Sequence, residues 1–309
     1  MSETDGPTAE RRGNELESVE RSFDTPRAVS LHIDNASGEV EIATHDHART
    51  EIRLVALHPG ADVLVKDARI TERSSVRGHE VTVEIPHPRG LAKLWSSGGV
   101  QVLVKVPNDA ELDVSTASAS TTAQGRYKGA VIRTASGDIA VEEITGAARI
   151  RTASGCVDLG SVGDVADVQS ASGDVRIGVA AAGGKVSTAS GDVALGRVER
   201  PARIRAASGD VRLGEVLQGA EIETVSGQQQ VERAAAGDFV MRAVSGDIVV
   251  SVVPGSLVRF DAGSMSGNVQ SDIELESARP VGASQGGVSE LSIQAKTVSG
   301  DIYVLRATP

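Results

Sequence analysis

A parallel β-solenoid with about 18 residues per coil is the all-β fold this sequence predicts, on three observations. Ser-Gly begins at Ser136, Ser154, Ser172, Ser190, Ser208 and Ser226, an interval of 18 residues five times over. In each of the first five units the third and fifth positions after that serine are aliphatic, the two-residue period of a strand. Aromatic residues make up only 2% of the chain while glycine accounts for 34 of 309 residues. A thin core of stacked Val, Ile, Leu and Ala needs few rings and many tight turns.

In chain order, residues 1–27 read as an acidic, disordered tail, since the first 24 carry seven carboxylates against three arginines, although "LESVERSF" is able to form a strand or a helical turn. Residues 28–309 read as a single solenoid. Its first part, 28–108, is irregular β structure open to antiparallel pairing. There "IDNASGEVEIAT" has the grammar of an early coil, followed by the alternating stretches "TEIRLVAL", "ADVLVKDARI", "HEVTVEIP" and "VQVLVKVP".

Regular coils occupy 109–250. The first strand of each coil supplies Ile139 and Val141, Val157 and Leu159, Val175 and Ile177, Val193 and Leu195, then Val211 and Leu213. A second aliphatic column stands fourteen residues after the serine, at Ile150, Val168, Val186, Ile204, Ile222 and Val240, flanked two positions to either side mostly by Ala, Gly, Thr or Ser. Neither strand buries its apolar edge alone; stacking equivalent strands closes two parallel sheets over a narrow core. Beyond residue 250 the serine interval widens, so 251–309 reads as C-terminal coils with a longer loop near 277–289 and "TVSGDIYVLRA" as the last coil.

The phrase that marks the turns is Ser-Gly-Asp: Ser136-Gly137-Asp138, Ser172-Gly173-Asp174, Ser190-Gly191-Asp192, Ser208-Gly209-Asp210, Ser245-Gly246-Asp247 and Ser299-Gly300-Asp301. Its glycine supplies a conformation or close approach that a Cβ would hinder, and its aspartate is expected to cap amides of its own turn. Calcium binding by the aspartate column is the lesser alternative, because the calcium β-roll nonapeptide is not reproduced: "SGDVRIGVA" has one aspartate and the "AAGGKVSTA" that follows has none.

The net charge of −11 excludes nucleic acid and anionic lipid as default partners. Arg149, Arg151, Arg176, Arg203, Arg205 and Arg212 read as members of a mixed, solvated face, with a local basic strip as the alternative. The lone cysteine, Cys156, takes an aspartate position on a turn and reads as a plain substitution. No apolar run reaches the length of a membrane span, and the N-terminus lacks the order of a secretion signal, so a cytoplasmic location without membrane insertion is expected.

Catalytic signals are weak. "THDH" at 44–47 offers two imidazoles and a carboxylate but no third ligand at a recognised spacing, with His32, His58, His79 and His87 elsewhere. There is no G-x-S-x-G elbow, and "SSGG" and "AAGG" lack the context of a phosphate loop. Trp95 reads as a plug on the first coils, and Arg279 near Asp272 and Glu274 is a remote candidate for an acidic groove of the kind found in pectin-lyase-like enzymes. No catalytic, cofactor-binding or metal residue is therefore assigned.

The phrases "TASGDIxV" and "TVSGDI", preceded by "VQVLVKVPNDAELDVSTAS", resemble a bacterial adhesin-like β-solenoid domain family of unknown function. The resemblance runs from Val29 to Ala307, through Val102, Val104, Val106 and Pro107 and on to Ser299-Gly300-Asp301-Ile302. It implies attachment to the cell envelope or fusion to membrane segments, and brings no catalytic or cofactor residues. A second likeness, to the end-to-end polymerising bactofilins, implies self-association. Together these readings predict a non-enzymatic scaffold or protein-interaction module. Its partner is expected to be another protein, bound by strand faces bearing Arg176, Arg203, Arg205, Arg212, Glu221 and Glu223.

Overall fold

The computed structural model describes residues 16–86, 99–273 and 290–307. Almost every described element is a strand. The N-terminal part contains β1 (Ser18–Asp24), β2 (Val29–Asn35), β3 (Gly38–His45) and β4 (Arg49–Ala56), a single 3-10 turn (Pro59–Ala61), the helix α1 (Asp62–Asp67), then β5 (Arg69–Ser75), β6 (Gly78–Glu84), β7 (Val100–Pro107), β8 (Ala110–Thr116) and the long β9 (Ser120–Thr134). Regular coils follow as strand pairs: β10 (Ile139–Ile144) and β11 (Ala148–Thr152), β12 (Val157–Val162) and β13 (Ala166–Ser170), β14 (Val175–Ala180) and β15 (Gly184–Ser190), β16 (Val193–Val198) and β17 (Ala202–Ser208), β18 (Val211–Val216) and β19 (Gly219–Ser226), β20 (Gln229–Ala234) and β21 (Gly237–Ser245). The described chain closes with β22 (Ile248–Val252), β23 (Leu257–Ser266), β24 (Val269–Ser271), β25 (Glu290–Ser299) and β26 (Ile302–Arg306).

Parallel pairing at the repeat interval produces two ladders. In the first, Ile139 pairs with Val157, Val157 with Val175, Val175 with Val193 and Val193 with Val211. In the second, Ile150 pairs with Val168, Val168 with Val186, Val186 with Ile204 and Ile204 with Ile222. All of these side chains are buried and belong to one continuous core. A third column, Ile144, Val162, Ala180, Val198, Val216 and Ala234, closes the corner between the ladders and is equally buried. β9 serves both ladders. It turns the corner at Gly125 and inserts Tyr127, fully buried, beside Ile144.

The turn glycines answer to backbone crowding. A Cβ on Gly209 would lie 2.3 Å from the carbonyl oxygen of Gly191, and one on Gly191 would lie 2.6 Å from that of Gly173. Successive glycines thus stack backbone on backbone, and no side chain fits between coils.

The aspartates differ from expectation. They do not cap their own turns; each reaches one coil along. Asp138 Oδ1 accepts the Cys156 amide at 2.9 Å, Asp174 that of Asp192 at 3.0 Å, Asp192 that of Asp210 at 2.9 Å and Asp210 that of Gln228 at 2.8 Å. Parallel stacking carries the next coil's amide directly past the carboxylate, so a contact between coils wins over a local one.

Three further expectations are corrected. The disordered-tail reading fails for Ser18–Asp24, which pairs antiparallel with β4 and packs Val19 and Phe23 against the core, the strand alternative held open for "LESVERSF". "ADVLVKDARI" is helical over Asp62–Asp67 and becomes strand only at Arg69, where β5 begins. After Pro59 the chain turns helically, burying Ala61 and Val65 four residues apart on one face and exposing Val63. Val240 is not the core residue of its coil. The inserted residue in this unit of 19 places Met241 opposite Ile222, and Met241 and Phe239 are buried.

Chain order and spatial order part at both ends. β2 lies between β6 and β8, and β3 between β7 and β9, so the early coil is interior. At the C-terminus β25 lies between β21 and β23, and β26 between β22 and β24. "TVSGDIYVLRA", expected as the last coil, is the penultimate one in space. Leu291, Ile293 and Ala295 of β25 fill a slot flanked on both sides and are fully buried, whereas Val258, Phe260 and Ala262 of β23 remain half-buried outside it.

Candidate interaction surfaces

Because core side chains point inward, alternate residues of each strand point outward and line up at the repeat interval. On the second ladder one outward row runs Arg149, Asp167, Lys185, Arg203, Glu221, and its neighbour runs Arg133, Arg151, Gln169, Ser187, Arg205, Glu223, Arg242. Vertical neighbours in a row pair as ions. Arg203 binds Glu221, Arg205 binds Glu223 at 2.9 Å and Arg242 reaches Glu223 at 3.4 Å, while Arg133 binds Asp113 diagonally, outside its row, at 3.0 Å. Exposed pairs of this kind stabilise by only about 0.2–1 kcal/mol each, yet they consume the charge of both ends of the face.

The centre of the face is different. Arg149, Arg151 and Lys185 are exposed and make no ion pair among the described residues. Arg149 and Lys185 flank Asp167, whose Oδ1 is buried without a hydrogen-bond partner, and Arg151 stands in the neighbouring row. Three cations against one carboxylate leave this patch positive on a chain of net charge −11.

The residues expected to form a binding face do not share one. Arg203, Arg205, Glu221 and Glu223 lie on the second ladder and are paired with one another. Arg176 and Arg212 lie on the first, where Arg176 pairs with Asp174 at 3.3 Å and Arg212 reaches Gln230 at 3.4 Å. The local basic strip offered as the alternative to a uniformly mixed face exists at Arg149 and Arg151. Lys185 and Asp167 complete it. They were not singled out in the sequence, although writing the second strands under one another at the 18-residue interval puts Arg149, Asp167 and Lys185 in one column.

The histidine candidates do not converge into a metal centre. His45 Nδ1 accepts the His47 amide at 3.0 Å, Asp46 accepts from Asn108 at 2.7 Å, and His79 contacts Glu72 at 2.7 Å on another strand pair. Among the described residues no group of three or more His, Cys, Asp or Glu side chains is placed to hold a metal. Cys156 is exposed on its turn. His87, Trp95, Glu274, Arg279, the loop 277–289 and most of "SSGG" lie outside the described residues. The phenol of Tyr127 is pushed far above its ordinary range, first by burial and second by the nearby Glu142. Its hydroxyl lies 2.8 Å from the Gln124 carbonyl and 3.0 Å from that of Ile42, a structural contact at the corner.

Comparison with known families agrees with this architecture: the Toastrack DUF4097 model matches residues 28–305. The chain belongs to the Toastrack DUF4097 family. That membership makes it a β-solenoid of a domain family of unknown function. No curated protein sequence matches the chain. Similar solved structures include a protein of Parabacteroides distasonis provisionally named lipid-binding, at 14% identity over 95% of this chain and 98% of that one, with a TM-score of 0.45. A provisionally named adhesin of Bacteroides fragilis is similar at 12% identity over 94% and 97%, with a TM-score of 0.38. A provisionally named cell-adhesion protein of Clostridium sporogenes is similar at 10% identity over 94% and 100%, with a TM-score of 0.23. No helix among the described residues of this Toastrack chain is long and apolar enough to cross a membrane.

Proposed function

We propose that this Toastrack solenoid is a non-enzymatic cytoplasmic scaffold that binds another protein through the centre of its second ladder, and that the partner presents an acidic surface there. The observation that carries the reading is the unpaired trio Arg149, Arg151 and Lys185 on a flat face whose other charges are mostly committed to ion pairs. Rigid strands hold the three cations at fixed separations, with about 4.8 Å between adjacent rungs, so their complement is a surface of matching geometry. Asp167 and the Arg203–Glu221 and Arg205–Glu223 pairs interrupt the strip. That interruption favours a patterned protein surface over the uniform phosphate row of nucleic acid.

The reading is tested by affinity capture with the full chain and with the variant Arg149→Glu/Arg151→Glu/Lys185→Glu. The expected result is loss of a specific acidic partner by that variant and its retention by Arg176→Glu/Arg212→Glu on the opposite face. Equal capture by all three chains, or turnover of a defined substrate by the purified protein, overturns the proposal. Cell fractionation checks the location.

A further inference from the structure

The last rung in space, β23, is an edge strand of ten residues whose only pairing among the described residues is with β25. Its inward side chains Val258, Phe260 and Ala262 stack on Leu291, Ile293 and Ala295. The lower set is fully buried and the upper set half-buried, so among the described residues the core column runs one rung past the point where it is covered. Around this end Leu257 is 45% exposed, Val269 43% and Met265 84%. The adjoining ridge of Val225, Val244 and Val298, one residue before each turn serine, is exposed as well.

What covers such an end is indicated by the strand's own sequence, "LVRFDAG". If a second β23 is laid antiparallel beside the first with the twofold axis at Phe260, residue 260+k faces residue 260−k. Arg259 then faces Asp261 of the second copy, and Asp261 faces its Arg259. On the inward side Phe260 meets Phe260, and Val258 meets Ala262. Charges of opposite sign meet on the solvent side and apolar groups on the core side, the two conditions for a stable cross-strand pair. Both charged groups are accessible: Arg259 is 75% exposed and Asp261 69% exposed, in pairs with Glu290 at 2.9 Å and Lys296 at 3.7 Å.

We propose that two copies of this chain associate through β23, C-terminal end to C-terminal end, so that both cores join across a twofold axis. The product is a closed dimer and not a filament, because the opposite end of each solenoid is covered by α1 and edged by charged strands. This surface is separate from the face assigned to a protein partner, and the two readings stand or fall independently.

The test is the oligomeric state of the purified full chain, measured by sedimentation equilibrium at micromolar concentrations. A dimer is expected for the natural sequence. Arg259→Asp places four carboxylates across the axis and shifts the dimerisation constant at least tenfold toward monomer, and Asp261→Arg does the same with four cations. The double variant Arg259→Asp/Asp261→Arg restores the dimer, because the swapped charges again face their opposites. All variants keep the far-ultraviolet spectrum of the parent. A natural chain that is monomeric, a dimer indifferent to Arg259→Asp, a double variant that stays monomeric, or growth into filaments each overturns the proposal.

Discussion

The two ends of the solenoid meet the same physical problem in opposite ways. At the N-terminal end the ladders finish in antiparallel strands, β1 on β4 and β5 on β6, and α1 packs against β1 and β4. The helix buries Val65, and the turn before it Ala61; Lys66 ties it to Glu17 at 3.5 Å, and the edges left are rich in charge: Glu20, Arg21 and Asp24 on β1, and Arg69, Glu72 and Arg73 on β5. Charged edges of this sort discourage further pairing. At the C-terminal end the outer strand carries a half-buried Val-Phe-Ala row, and Arg259 and Asp261 are its only charged side chains. The repeat itself therefore specifies stacking and says nothing of where stacking stops. Termination requires a different local sequence, and only the first end has one among the described residues.

The sharpest way to separate interior from end is a single methyl group. Gly209→Ala, at φ 130° and against the Gly191 carbonyl 2.3 Å away, forces two coils apart and is expected to destabilise by on the order of 3–5 kcal/mol in a urea titration. Gly263→Ala on β23 meets nothing within 4 Å and is expected to change stability by no more than about 0.5 kcal/mol. Equal effects would show that the outer strand is packed as tightly as the coils beneath it. A smaller contrast follows for the core column. Leu213→Ala, fully buried between two coils, is expected to lose about 2–5 kcal/mol. Val258→Ala, covered on one side only, is expected to lose under about 1 kcal/mol in the monomer, because less surface returns to water.

The two tyrosines extend the comparison to pH. Tyr127 lies in the closed N-terminal half with its phenol value raised by burial. Tyr303 lies one rung from the open end, also raised, first through its hydrogen bond to Asp301. A phenol whose folded value exceeds its unfolded value contributes stability that is complete below the unfolded value and lost as pH rises above it. Above pH ~10 the unfolded chain releases the Tyr127 proton and the folded chain keeps it, so this group lowers stability by up to about 1.4 kcal/mol per pH unit. The alkaline slope should be shallower in Tyr127→Phe, and in absorbance titration the first phenolate of the folded protein should be that of Tyr303.

How much of this was legible follows the same division. The paired columns Val175, Val193, Val211 and Val186, Ile204, Ile222 could be read directly, because parallel stacking of equal coils turns a sequence interval into a spatial neighbour. The third column could not be recognised by alternation. Ile144, Val162 and Val198 stand eight residues after the serine, an odd step beyond the third and fifth positions, where the strand bends toward the corner. The helix at Asp62–Asp67 was hidden because Val63 and Val65 mimic a strand's period over so short a span. The interleaved coils were hidden for a deeper reason. β23 and β25 carry similar local patterns, and which of them takes the inner slot depends on how much each buries, a property of the assembled stack. The basic patch fell between these cases: its arginines were visible, but its isolation depended on which neighbours were already paired.

The smallest expected effect tests the aspartate ladder. Along the regular coils each carboxylate accepts the next coil's amide, and the series is interrupted at Cys156, whose amide donates to Asp138 but whose side chain offers no carboxylate to accept the Asp174 amide. Cys156→Asp supplies the missing acceptor at an exposed position where the backbone already has the required form. A single hydrogen bond of this type is expected to contribute about 0.5–1.5 kcal/mol, offset in part by repulsion from Asp138 and Asp174 one rung away on either side. The net gain should therefore be about 0.5 kcal/mol at moderate salt, larger when salt screens the like charges and absent in Cys156→Asn at low salt only if charge, and not acceptor geometry, is what the ladder uses. A loss of stability in Cys156→Asp that salt does not reverse would show that the carboxylates repel more than they hold.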